Sequence, residues 1–427
     1  MNYPTKLAKN IICKTINLSP TKRLTNSLIK KRQYCSLYKS IKDSKKVYWI
    51  PQETIRYASN FQTKLNKKID ILNNGEKEKK PDKNIDSNWD KKTVKFTNLE
   101  IYNTIKKTIE KDKELHKTNF FKSLLRKAKS QNKFWSSSNT INIQKLYEYF
   151  NQLQIFPKFK PNNLRSHFHL RKNYEEAIDV NIGRNGEYLF QNNVYLLSIA
   201  KLFKIKMIPV RVIRRHKQWQ KLKEYVFIYV HPNTNMFLYQ PIVHPDFAEF
   251  PLQPHNKCLE TIQTIKSHLP KNSGKMLDIG ANLGFFCHQF ENLGYHCYAV
   301  ENDINKYRIL ERIKIAENKK FVTLNKSIFE VDFLKTMKFD VVLALNIFHH
   351  FLKTKKLFFQ LKELLTNLET EMMFLSTANY REEQMRNAYQ NYSQPRFVEF
   401  ILQQTTLTKS QTILTGRSNR NIYKLTK

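Results

Sequence analysis

Lys275-Met276-Leu277-Asp278-Ile279-Gly280-Ala281-Asn282-Leu283-Gly284 carries the strongest structural signal in the chain, and Glu301 completes it 23 positions after Asp278. Its apolar run ends at a glycine, which predicts a buried parallel strand over 275–280 followed by a turn. Glycine is scarce in this chain. Only 8 occur in 427 residues, and four of them, Gly274, Gly280, Gly284 and Gly294, fall within 21 positions. After Gly284 the spacing of Phe285, Phe286, Phe290 and Leu293 predicts a helix, and 295–300 predicts a second strand ending in Glu301. A nucleoside cofactor needs this unit of strand, glycine turn, helix, strand and acid. Gly280 lets the backbone pass close to a ligand. The helix start offers free N–H groups, and an acid at the second strand end can accept bonds from ribose hydroxyls. The spacing of acid and turn is close to the ~20 residues of such units.

A dinucleotide loop would read Gly-x-Gly-x-x-Gly. Here the pattern is Asp278-x-Gly280-x-Asn282-x-Gly284. It resembles motif I of the class I S-adenosylmethionine-dependent methyltransferases, with Asn282 at the middle glycine, a residue that enters left-handed backbone more readily than most. The resemblance implies a Rossmann-like α/β fold with a seven-stranded methyltransferase sheet spanning 255–427. It also implies S-adenosylmethionine as cofactor, held by Asp278, Gly280, Asn282, Gly284 and Glu301. Asp278 would face the methionine ammonium, a cation that a pyrophosphate loop would not meet. Strand three is expected at 321–324, with Ser327 after it where the family contacts adenine and usually carries Asp. Strand four is expected at 339–345, a helix at 353–368 and strand five at 372–376. A helix at 397–403 and a closing strand pair at 411–414 and 421–425 complete the unit. The family binds the methyl acceptor at the end of strand four. Here that implies Asn346, His349 and His350 as catalytic candidates. His349 leads the pair because it is nearer the strand end. An imidazole of ordinary pKa ~6.5 suits a base for an oxygen or nitrogen acceptor. The segment Asn346-Ile347-Phe348-His349 lacks the prolines of an Asn-Pro-Pro-Tyr amino-methylation motif. For each histidine, packing or helix capping is the competing role.

The chain is strongly basic: 74 Lys and Arg against 36 Asp and Glu, a net charge of +38. Such a field attracts polyanions, RNA first among them. AT-rich coding would also enrich lysine, so composition leaves both origins open. The five cysteines, at 13, 35, 258, 287 and 297, form no CxxC pair. Neither a metal site nor a disulfide framework is expected. No apolar run approaches the ~18 residues of a membrane span, so a soluble chain is expected.

Residues 1–34 contain eight basic residues and no acid. With their hydroxyl residues they read as a mitochondrial presequence, and Arg32-Gln33-Tyr34-Cys35-Ser36 resembles a matrix-peptidase cleavage site. The mitochondrial matrix is the expected location. Residues 35–98 are expected to be linker, with low-complexity sequence over 66–93. A helical region is expected over 99–156, with helices near 99–129 and 143–154. From 157 to 245 an α+β domain is expected: a hairpin turning at Asn185-Gly186, a helix at 194–203 and a strand at 208–213. Arg214, Arg215, His216, Lys217 and Trp219 then form a basic, aromatic corner. This order resembles the ParB-like fold. Tyr195 and Leu196 stand where that family carries the His and Arg of its phosphate-binding element, so the domain is read as degenerate, a structural or RNA-docking module.

Together these readings lead to a mitochondrial methyltransferase acting on RNA. Two alternatives stay open: an inactive methyltransferase-fold assembly factor, for example at the mitoribosome, and a methyltransferase for a small molecule or protein side chain. Oligomeric state is not legible.

Overall fold

The computed structural model describes residues 47–59, 88–91, 93–99, 102, 103, 106, 177–192, 194–202, 207–233, 237–253, 256–270, 273–415 and 420–427. The presequence, the low-complexity stretch over 66–87, the helix at 143–154 and most of the helix at 99–129 lie outside the described residues. So do the side chains of Tyr195 and Leu196.

Among the described residues two sheets form. The first has six strands: β1 (Val47–Pro51), β2 (Tyr57–Ser59), β3 (Thr93–Lys95), β4 (Ile178–Ile182), β5 (Tyr188–Phe190) and β6 (Met207–Arg215). Their order is β1-β6-β4-β5-β2-β3. β4 and β5 are the expected antiparallel hairpin. Helix α1 (Val194–Leu202) then leads into β6, which pairs parallel to β4. Here the structure corrects the sequence reading: β1, β2 and β3 come from 35–98, which was expected to be linker. Val47-Tyr48-Trp49-Ile50 alternates toward the core, with Tyr48 and Ile50 buried, and β1 pairs antiparallel with β6 from 160 positions away. That pairing buries an apolar face which lysine-rich surroundings disguise in the sequence.

Part of the basic corner is buried. Helix α2 (Lys217–Asn233) follows β6. The Arg215 side chain is 5% exposed and bidentate on Asp246. Trp219 Nε1 donates to the same carboxylate at 2.9 Å, and Lys223 Nζ bonds Glu249 Oε1 at 2.7 Å. Buried charges of this kind must be paired, so Arg215 and Lys223 are spent internally, whereas Lys217 of the corner is exposed.

The second sheet has seven strands, as the resemblance implied: β7 (Gly274–Ile279), β8 (Tyr295–Val300), β9 (Val322–Leu324), β10 (Val341–Leu345), β11 (Met372–Ser376), β12 (Lys409–Leu414) and β13 (Ile422–Thr426). Their order is β12-β13-β11-β10-β7-β8-β9. The strands from β7 to β11 run parallel, and β13 lies antiparallel to both β11 and β12. Helices α3 (Cys258–Ser267), α4 (Phe285–Asn292), α5 (Ile304–Ala316), α6 (Phe348–Phe351), α7 (Lys355–Asn367) and α8 (Gln394–Gln404) connect and cover it. The core divides between the faces. Phe285, Phe290 and Phe374 pack on one side, and Leu361, Leu365 and Phe397 on the other. Strand order reverses between β7 and β10. Ligands of open α/β sheets bind at such a switch point, beyond the carboxyl ends of the strands.

The two sheets touch through the turn between β4 and β5. Tyr225 of α2 also bonds Asn305 of α5 at 2.5 Å, and Arg312 of α5 donates to the Arg184 carbonyl.

Candidate cofactor and active site

β7 is buried on both faces, so Asp278 enters the turn from inside the core, 2% exposed. Its Oδ2 has Cys287 Sγ of α4 at 3.7 Å. Burial pushes the carboxyl up to about 7; the Cys287 contact opposes this and the charge of Glu301 adds to it. Gly280 and Ala281 both donate their backbone N–H to the Val300 carbonyl at 2.9 Å, which pins the turn to the end of β8. Gly280 has φ +75°, and a Cβ there would stand 3.0 Å from the Ile347 side chain. The conformation calls for glycine, and a side chain there would press on Ile347. Asn282 has φ +55°, the left-handed backbone expected of it. Gly284, at φ +81°, starts α4 with no side-chain cap from its own position.

Glu301 is 4% exposed. One carboxylate oxygen accepts from Asn282 N at 2.8 Å and the other from Asp303 N at 2.9 Å. The acid therefore ties the glycine turn to the start of α5, and each oxygen keeps a second lone pair for a ligand. Burial, more than any neighbour, raises its pKa. Asp278 and Glu301 end adjacent parallel strands, and neither forms an ion pair among the described residues. This arrangement fits S-adenosylmethionine: an anion buried beside the turn for an ammonium, and a second acid beyond it for ribose hydroxyls. A pyrophosphate would meet Asp278 as a like charge.

Ser327 follows β9, as expected, but its side chain is occupied. Its Oγ accepts from Phe329 N at 3.4 Å, and Glu330 accepts from Ser327 N, a capping box over the single turn Ile328–Glu330. The signal, Ser-x-x-Glu, is present in the sequence. Asn325 instead reaches the site's edge, with Nδ2 donating to the Glu301 carbonyl at 2.9 Å.

Asn346 ends β10 with φ +58°. Its Oδ1 accepts from Arg420 Nη1 at 3.2 Å and from Ser376 Oγ at 3.4 Å, and its Nδ2 donates to Tyr239 Oη at 3.1 Å. Arg420 is held by Glu382. Burial opposes ionisation of that carboxyl, and the Arg420 pairing wins, bringing it down to about 2. His349 and His350 lie on α6 with ring centroids 4.2 Å apart. His349 is 2% exposed, and its Nδ1 has no partner among the described residues. Burial, then the charges of His350 and Arg420, push it down to about 3. An imidazole this hard to protonate is a weak base at neutral pH. His350 is exposed, also lowered by burial and by Lys353, and is the better placed of the two to exchange a proton with solvent.

Sequence reasoning missed the groups contributed from upstream. Half-buried Tyr229 of α2 is raised to about 12 by burial and by Asp303 and Glu301. Tyr239 and Gln240 lie on the connector between the two sheets. Gln240 Oε1 accepts from Phe285 N at 3.4 Å, and Tyr239 reaches Asn346. Their partners lie 45 and 107 positions away, so no local pattern announces them.

Among the described residues no helix is long and apolar enough to cross a membrane, and no cluster of metal-ligating side chains occurs. No family model matches the chain, and no curated protein does. Among solved structures, the bifunctional kinase-methyltransferase WbdD aligns at 17% identity and TM-score 0.39, over 48% of this chain and 46% of that one. The chain thus spans about half the length of WbdD. The PH0226 protein from Pyrococcus horikoshii OT3 aligns at 12% identity and TM-score 0.36, over 47% of this chain and 98% of that one. The 1,6-didemethyltoxoflavin-N1-methyltransferase of Burkholderia thailandensis, solved with S-adenosylhomocysteine, aligns at 15% identity and TM-score 0.31, over 40% of this chain and 79% of that one.

Proposed function

We propose that the chain is an S-adenosylmethionine-dependent methyltransferase of mitochondria that acts on RNA. The observation that carries the cofactor is the pair Asp278 and Glu301, buried with no ion pair among the described residues, beside a glycine turn at the switch point of the sheet. The bound cofactor supplies a methyl group activated on sulfonium. The protein's own part is to hold and align. Asp278 receives the ammonium, Glu301 receives the ribose, and Asn346 with His350 face the acceptor at the end of β10. Calorimetric titration of the full chain with S-adenosylmethionine tests the cofactor; absence of heat at millimolar ligand would sink it.

RNA as acceptor is supported by the net charge of +38, and the matrix by the acid-free segment 1–34. Incubation with methyl-labelled cofactor and organellar RNA, protein and small-molecule fractions separates the acceptors. Label confined to protein or small molecules would reject RNA. A fluorescent protein fused to residues 1–34 that stays in the cytosol would reject the matrix.

A second reading, an assembly factor that keeps the fold and not the reaction, is favoured by the burial and weak basicity of His349. If Asp278→Ala and Glu301→Ala together leave growth unchanged while deletion of the gene does not, that second reading stands.

A further inference from the structure

The connector between the two sheets is built as a rigid ledge. Leu238 and Leu252 form a bridge, closed by Leu238 N donating to the Pro251 carbonyl at 2.8 Å and Gln253 N to the Leu238 carbonyl at 3.0 Å. Leu238, Phe247 and Phe250 are buried beneath it. Asn256 anchors the next residue by donating to the Tyr239 carbonyl. The backbone at Tyr239-Gln240 is thus fixed on both sides before any ligand arrives.

What this ledge presents is polar and aimed at the turn. Gln240 is 4% exposed, and its Oε1 is anchored on Phe285 N at the first turn of α4. That helix brings no cap of its own, so the amide of Gln240 supplies the acceptor its buried start needs. With the oxygen held on an N–H, the carboxamide turns its NH2 group, two donors, away from the helix. Two residues further along the same helix, Cys287 touches Asp278, the acid assigned to the methionine ammonium. Gln240 therefore lies at the start of the helix that also carries the Asp278 contact. On its other flank Tyr239 Oη meets Asn346 Nδ2. A guanidinium has no acceptor, so Arg420 fixes the Asn346 oxygen toward itself and the NH2 toward Tyr239.

We propose that Gln240 is a cofactor-positioning residue, donated by the connector, whose NH2 group holds the carboxylate of the methionine moiety of S-adenosylmethionine. This rests on the cofactor reading above. It makes the connector between the two sheets part of the site. The experiment is calorimetric titration of the full-length wild type, Gln240→Glu and Gln240→Ala with three ligands: S-adenosylmethionine, S-adenosylhomocysteine and 5′-methylthioadenosine. The last lacks the amino and carboxylate groups. Gln240→Glu keeps shape and the bond to Phe285 N but places an anion against the ligand's carboxylate. It should weaken the first two ligands at least tenfold and 5′-methylthioadenosine less than twofold, with an unchanged melting temperature. Gln240→Ala should weaken the first two by about three- to tenfold, in keeping with one lost charge-assisted hydrogen bond. Equal loss for all three ligands would show a merely structural role and overturn the proposal, as would no loss for any. A wild type that binds none of the three would instead overturn the cofactor reading itself.

Discussion

The two sheets treat buried carboxylates in opposite ways. In the first, each has a cation. Asp90 is clasped by Arg184 through Nε and Nη2 at 2.8 and 2.6 Å, Asp179 by Arg211 at 2.7 Å, and Asp246 by Arg215 and Lys223. Burial opposes ionisation of Asp90 and Asp246, and the paired cations overcome it and hold both below the ordinary range. In the second sheet Asp278 and Glu301 are as deeply buried and form no ion pair among the described residues, so burial outweighs the Cys287 contact at one and the charge of Lys306 at the other, and both are raised. A carboxylate satisfied by its own chain supports the fold. One left charged or half-protonated beside a glycine turn is prepared for something the chain does not contain. The same contrast sets Arg215 and Trp219, both bonded to Asp246, apart from the two acids beside the glycine turn.

The largest effect is expected at Asp246. Asp246→Ala leaves the buried Arg215 without the carboxylate that clasps it, while Lys223 keeps Glu249, and costs about 3–5 kcal/mol. Denaturant unfolding of the full chain measures it. A loss under about 1 kcal/mol would mean that water or Glu249 replaces the carboxylate and that the first sheet's pairing is not structural.

Asp278→Asn should do the reverse. Folded Asp278 titrates near 7 and unfolded aspartate near ~3.9, so the folded state holds the proton more tightly. Its contribution to stability is therefore full below about pH 4 and is lost as pH rises through 7. At pH 8 the asparagine variant should be more stable than wild type, by up to about 4 kcal/mol from the ~3-unit difference. It should also bind S-adenosylmethionine about 10–100-fold more weakly, the worth of one charged hydrogen bond. A variant that is destabilised at pH 8 would contradict the unpaired state of Asp278.

Without any substitution, pH sharpens the same contrast. If the ammonium of the cofactor requires ionised Asp278, affinity should be level above about pH 8 and fall tenfold per unit below 7. Calorimetry between pH 5.5 and 8.5 reads the slope. A flat profile would separate Asp278 from the ammonium.

How much of this was legible follows from distance along the chain. The glycine turn, Glu301 and the strands of the second sheet carry their signals within a few residues each, and the seven strands appear near the expected positions. Pairings made across long separations were hidden. β1 needs β6 to show that Val47–Pro51 is a strand at all. Arg215 and Trp219 look like surface recognition groups until Asp246, 27 and more positions later, folds against them. His349 read as a base from its place near the strand end, and only packing reveals that it is buried. Tyr239 and Gln240 precede the turn they face by some 40 positions or more, in a stretch with no periodicity to mark it.

Ser327 tests the smallest difference between the two kinds of acceptor. Its position after β9 made it a candidate for adenine, while its hydroxyl is bonded to Phe329 N in a capping box completed by Glu330. A cap is worth about 1 kcal/mol, and a cap that belongs to the fold should cost stability without touching the ligand. Ser327→Ala is thus expected to lower unfolding free energy by about 0.5–1 kcal/mol and to leave S-adenosylmethionine affinity within twofold. Ser327→Asp, which caps as well as serine, should restore stability. If instead Ser327→Ala binds cofactor several-fold more weakly at unchanged stability, the hydroxyl turns from the cap to the ligand when the site fills. Ser327 would then join Asp278 and Glu301 as a group held for the cofactor and not for the fold.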